Sequence, residues 1–133
     1  MRPFILYHWS PIPRRNSILK YGLCPGKRSR CGCWNPPYIC LSKSPSQAWG
    51  LSAALSKQNG EWDLWMVWSS SLDGYERLYM GPERNVPTEY RVYHRIKKSL
   101  IWYVGSRTHR IRTNAQRTDA IRHEIINTQE KSE

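Results

Sequence analysis

The chain has 133 residues, enough for one domain with a real core but not for two. Its 21 Lys and Arg against 10 Asp and Glu give a formal net charge of +11, which points to an anionic partner, nucleic acid being the commonest. No apolar run approaches the roughly 18 residues that a membrane span requires, so the expectation is no membrane association.

Seven Trp and eight Tyr against one Phe put most of the aromatic surface on rings with a polar edge, suited to cores and also to stacking on nucleobases or nicotinamide. Residues 3–9 are too short an apolar stretch, and too soon followed by Pro11, Pro13, Arg14 and Arg15, to be a signal peptide. The expectation is a soluble, cytoplasmic protein.

In chain order, residues 4–8 read as a strand, mostly apolar as a buried central strand would be, with His8 at its mouth. A titratable residue there is a candidate site residue, or a cap on the strand end. Residues 14–21 suit a short helix with Ile18 and Leu19 inward and Gly22 as its C-cap. The basic stretch 27–37, carrying Lys27, Arg28 and Arg30, reads as an irregular loop able to grip phosphates or simply to be solvated.

Cys24, Cys31, Cys33 and Cys40 share one 17-residue window. Their spacing lacks the usual zinc-knuckle pair, so reduced free thiols are preferred over zinc or disulfides, and no metal is expected. Residues 38–42 form a second strand. Pro45 opens a helix over 46–57, with Ser44 as N-cap and Ala48, Leu51, Ser52 and Leu55 on one face.

Asn59-Gly60 signals a turn. Residues 62–69 are an aromatic-rich strand, and residues 75–80 a shorter one. The stretch 88–96 alternates, with Tyr90, Val92, His94 and Ile96 on one side and Glu89, Arg91, Tyr93 and Arg95 on the other. A carboxylate flanked by cations and a ring suits a ligand with developing positive charge; the plainer reading is an edge-strand carboxylate paired to Arg91 or Arg95. Residues 100–104 make the last strand, ended by Gly105. From Ser106 onward Arg107, Arg110 and Arg112 define a basic extension, with a weak helical pattern over 115–126 and a frayed end.

Four stations taken together resemble the ADP-ribosyltransferase-like superfamily. They are Leu6-Tyr7-His8-Trp9-Ser10, then Ile18-Leu19-Lys20-Tyr21-Gly22-Leu23 with Pro25, then residues 38–45 with Ala48-Trp49, and finally Glu89-Tyr90-Arg91-Val92. The match covers residues 4–105 and is of the His…Glu type. It implies an α+β fold with a split two-sheet β core and short flanking helices over residues 1–105, followed by the basic extension 106–133, and NAD bound as co-substrate in a cleft between the sheets.

By that resemblance Glu89 is the catalytic glutamate and His8 bonds a ribose hydroxyl. Ser10 assists at the nicotinamide amide or ribose. Trp49 stands where the His-bearing subgroup has a stacking Tyr, Tyr38 is a second ring that can stack, and Ser42 with Ser44 loosely resembles the Ser-Thr-Ser motif of the arginine-type subgroup. Pro87 occupies the position that often bears an acceptor-directing Gln or Glu in protein-modifying relatives. With the charge, this turns the expectation toward a DNA, RNA or nucleotide acceptor held by Arg28, Arg30, Arg107, Arg110 and Arg112, with NAD hydrolysis as a side activity.

The chemistry also stands on its own terms. Breaking the ribose–nicotinamide bond builds positive charge on the ribose, and a carboxylate near the 2′-hydroxyl stabilises that charge most in the transition state. Glu89, or less favourably His94, would deprotonate an acceptor. Two alternatives remain. One is an RNA 2′-phosphotransferase-like enzyme using Arg14 and Arg15 on the RNA phosphate. The other is a non-enzymatic, basic, aromatic-rich nucleic-acid-binding protein.

Overall fold

The computed structural model describes residues 2–26, 36–56, 59–79 and 88–110. Among them, six strands form two antiparallel three-stranded sheets with two short helices, an α+β fold. The first sheet has strands β1 (Ile5–Pro11), β3 (Gly60–Trp68) and β6 (Ile101–His109) in that spatial order. The second has β2 (Ile39–Leu41), β5 (Glu89–Val92) and β4 (Glu76–Leu78).

The sheets are stitched where Tyr7 and Ser42 exchange both backbone hydrogen bonds, at 2.8 and 3.1 Å. The main core lies between them. Leu6, Trp65, Val67 and Ile101 of the first sheet meet Ile39, Leu41, Tyr90 and Val92 of the second, closed off by Ile18, Leu23 and Ile96. Alternation then sends Cys40, Ser42, Glu89 and Arg91 to the opposite face of the second sheet.

The α1 helix (Arg15–Tyr21) follows a 3-10 turn at Ile12–Arg14 and ends at Gly22, whose φ of 87° only glycine adopts without strain. A Cβ at Gly22 would also collide with the Ile96 carbonyl, because Leu23 and Ile96 pair there at 2.8 and 2.9 Å. Ile18 is buried as expected, but Leu19 is 54% exposed: neighbouring residues on a helix point about 100° apart, and this helix packs only one narrow side.

Other elements also differ from expectation. β1 continues past His8 to Pro11 and is an edge strand within its sheet, so Pro11 can end it without breaking a ladder and His8 sits mid-strand opposite Trp65. The expected 46–57 helix is only α2 (Pro45–Gly50), then a 3-10 turn at Ala53–Leu55. Its N-cap is Ser44, whose Oγ accepts from the Gln47 N–H at 3.1 Å. With the helix ended near Gly50, Ala53 turns inward and Leu55 outward.

β5 stops at Val92 rather than running to Ile96, and it is the central strand of its sheet, not an edge. Gly105 does not end β6. The register shifts opposite Leu64 and Trp65, Val104 is the extra residue, and pairing resumes through Gly105 to His109. The expected 115–126 helix, the 27–35 part of the basic loop and Pro87 lie outside the described residues. No helix among the described residues is long and apolar enough to cross a membrane.

Candidate functional site

Glu89 opens β5 and is 5% exposed, an unusual degree of burial for a carboxylate. Arg91, two residues on and therefore on the same face, supplies the countercharge: its Nε donates to Oε1 at 2.9 Å and its second donor reaches Oε2 at 3.5 Å. This pair is the one that the plainer reading of Glu89 foresaw, on a buried central strand. The Arg91 guanidinium also lies 4.1 Å from the centre of the Tyr38 ring, which packs edge-on against Tyr93 at 5.9 Å. The bond to Glu89 raises the Arg91 pKa further above its usual range.

Cys40 faces Arg91 across the β2–β5 pair, with its thiol beside Glu89. Burial and that neighbouring carboxylate push the thiol pKa far up, so it stays protonated. The Cys40 carbonyl accepts from His8 Nδ1 at 2.8 Å. A carbonyl can only accept, so the Nδ1 carries the proton. Burial lowers the His8 pKa more than this bond raises it, and the Arg14 charge lowers it again, leaving a neutral ring. Nε2 is then a bare acceptor, and among the described residues no other group bonds to the imidazole.

Ser42 completes this cluster by donating its Oγ to the Thr88 carbonyl at 3.0 Å, fixing the backbone just before Glu89. Arg91 thus joins Tyr38 to Glu89, Ser42 holds the backbone before Glu89, and Cys40 has its thiol beside Glu89 and its carbonyl on His8. Ser10 shares the His8 side of β1 but is 1% exposed and accepts from Trp65 Nε1 at 2.8 Å, a packing bond of the first sheet.

Trp49 is elsewhere. It packs with Trp9, Ala48 and Leu64 on the opposite face of the first sheet, with the Arg107 guanidinium 4.1 Å from its ring centre. Arg110 is exposed just after β6, while Arg28, Arg30 and Arg112 lie outside the described residues. His94 sits in the turn after β5, its Nδ1 at 3.1 Å from the Arg95 carbonyl.

No protein-family model matches this chain, and a search of curated proteins returns no match. The site therefore has to be read from its own chemistry. Two of its members carried little signal in the sequence: Cys40 stood out only as a fourth cysteine, and Arg91 only as one of two candidate partners for Glu89. A separate buried carboxylate, Asp63 on β3, is gripped by Arg15 through two bonds of 2.9 and 2.8 Å and by the Ser106 hydroxyl at 2.8 Å. Those bonds hold the Asp63 carboxyl below its ordinary range against the pull of burial. An acid between Trp62 and Leu64 in an aromatic-rich strand is the clue the sequence offers.

Cys24 is an exposed free thiol and Cys40 a buried one, and Cys31 and Cys33 lie outside the described residues. Among the described residues no group of three or more His, Cys, Asp or Glu is placed to hold a metal ion.

Proposed function

We propose that this chain is an NAD-dependent ADP-ribosyltransferase of the His…Glu type, acting on a nucleic acid or nucleotide and hydrolysing NAD when no acceptor is present. The observation that carries the reading is the Cys40 link: one residue of the second sheet accepts from the neutral His8 imidazole through its carbonyl and lies beside the buried Glu89 carboxylate through its thiol. That placement across two sheets supports a split β core of the ADP-ribosyltransferase kind.

The residues fit NAD in kind. His8 Nε2, a bare acceptor, suits a ribose hydroxyl and orients the sugar, which is a positioning effect. Glu89 keeps accepting capacity beyond its bonds to Arg91 and the Cys40 thiol, since an ionised carboxylate has about four lone-pair sites and these take about three. Tyr38 offers a ring beside the carboxylate, and the Arg14 charge is felt at His8, where a phosphate would be attracted. NAD supplies a ribose–nicotinamide bond whose heterolysis leaves positive charge on the sugar. Glu89 stabilises that charge from a fixed position, where its effect is strongest in the transition state. Glu89 is also the group placed to take the acceptor's proton.

Arg15 is committed to Asp63, which leaves only Arg14 of the two arginines that a 2′-phosphotransferase reading would use. The Arg91–Glu89 pair favours a second reading, in which Glu89 is structural and the chain only binds nucleic acid. Nicotinamide release from NAD separates the two. Wild type should release nicotinamide, and Glu89→Gln should lower the rate by about 10²-fold or more, the cost of removing one well-placed electrostatic group. Equal rates in the two proteins, or none in either, would remove the enzyme reading.

A further inference from the structure

We propose that the outer face of the first sheet, turned away from His8, is a docking track for a single-stranded polynucleotide, with bases stacking on Arg107 over Trp49 and on Trp102. The inference rests on the nucleic-acid reading above and names the surface that would hold such a partner. Trp102, Arg107 and His109 of β6 pair with Met66, Trp62 and Gly60 of β3, so these side chains share one face. Tyr7 and Trp9 extend that face onto β1, opposite Met66 and Leu64.

Trp49 of α2 is wedged edge-on among Trp9 at 4.9 Å, His109 at 5.7 Å and Trp62 at 6.4 Å, which fixes its ring. Arg107 lies over that ring at 4.1 Å and is itself exposed. A guanidinium held against an indole keeps its other side and its N–H groups available, the side for a base and the N–H groups for a phosphate. Farther along β6, Trp102 is 45% exposed, and Trp68 on the same face of β3 is 37% exposed. Exposed rings grouped on one sheet face, rather than scattered singly, are the kind of surface that binding sites use.

Charge selects the partner. The strand and α2 positions on this face hold no Asp or Glu; Glu61 and Asp63 alternate to the other side of β3. On a chain of net charge +11 this suits a polyanion. Rings select the form of that polyanion, since only unpaired bases present free faces for stacking. Trp102 and Arg107 lie opposite Met66 and Trp62, four steps of β3 apart or about 13 Å at ~3.3 Å per residue, room for a few nucleotides.

The test is fluorescence anisotropy of a labelled oligothymidylate of about 12 nucleotides, within the usual site sizes of stacking grooves, without NAD. Wild type should bind, with tryptophan fluorescence quenched, and Trp102→Ala and Arg107→Ala should each weaken binding about fivefold or more. Arg95→Ala, which removes the same charge from the turn after β5, should change affinity by less than about twofold at physiological salt. No wild-type binding, unchanged affinity in the two track variants, equal loss in Arg95→Ala, or a duplex of matched charge binding as tightly would each overturn the proposal. Nicotinamide release in the same preparations keeps the two ideas apart. Release without oligonucleotide binding sinks only the track, and binding without release sinks only the enzyme.

Discussion

The His8 imidazole is neutral in the fold because burial outweighs the bond that its Nδ1 makes to the Cys40 carbonyl. The unfolded chain protonates this ring near its ordinary pKa of 6.5, above the folded value. Folding therefore gains from His8 above pH 6.5, and that gain is lost as pH falls from 6.5 through the folded value. The urea midpoint should drop between pH 7.5 and 5.5, and His8→Gln should flatten that part of the dependence; an equal slope in the variant would contradict it. The same physics makes the Arg15–Asp63 pair asymmetric. Arg15→Met leaves the fully buried Asp63 carboxylate with only the Ser106 hydroxyl and should lower the urea midpoint more than Asp63→Asn, which leaves a half-exposed guanidinium that water can serve; an equal or larger drop in Asp63→Asn would contradict this.

At the scale of elements, the Gly22 turn joins α1 to the Leu23–Ile96 bridge and so closes one end of the core. Gly22→Ala meets both a left-handed backbone and the Ile96 carbonyl, and should destabilise by about 1–3 kcal/mol from the backbone strain, with more from the collision. A loss below that range by urea unfolding would mean that the turn relaxes freely. This glycine was readable in the sequence as a helix stop, as was Ser44 as a cap, because both act through local backbone chemistry. The end of β6 was not readable. Gly105 looks like a terminator, yet the ladder to Gly60–Leu64 carries the strand on past a bulge, and only the partner strand decides that. Likewise Leu55 and Leu19 were placed inward by periodicity, which cannot see that α2 breaks at Gly50 or that α1 packs on one side only. In the site, Glu89 and His8 were legible as polar groups on apolar strands. Their indirect link through Cys40, like the Tyr7–Ser42 stitch beside it, is made between segments more than 30 residues apart.

Across the whole molecule the proposed function assigns different tasks to the two faces of the first sheet. His8 and the core lie on one side, while the other carries Trp49, Arg107 and Trp102, with no carboxylate among the described strand and α2 positions. An enzyme that grips a polyanion at one surface and reacts at another should show activity that falls with salt even where Glu89 chemistry is untouched. The central claim is that Glu89 drives transfer from NAD, and the most direct measurement follows adenine-labelled NAD incubated with wild type or Glu89→Gln and a single-stranded oligonucleotide. Label should pass to the oligonucleotide with wild type and drop by about 10²-fold or more with Glu89→Gln, whose thermal unfolding stays cooperative. Equal labelling by both proteins, or no label on the oligonucleotide and no free nicotinamide with wild type, would contradict the account.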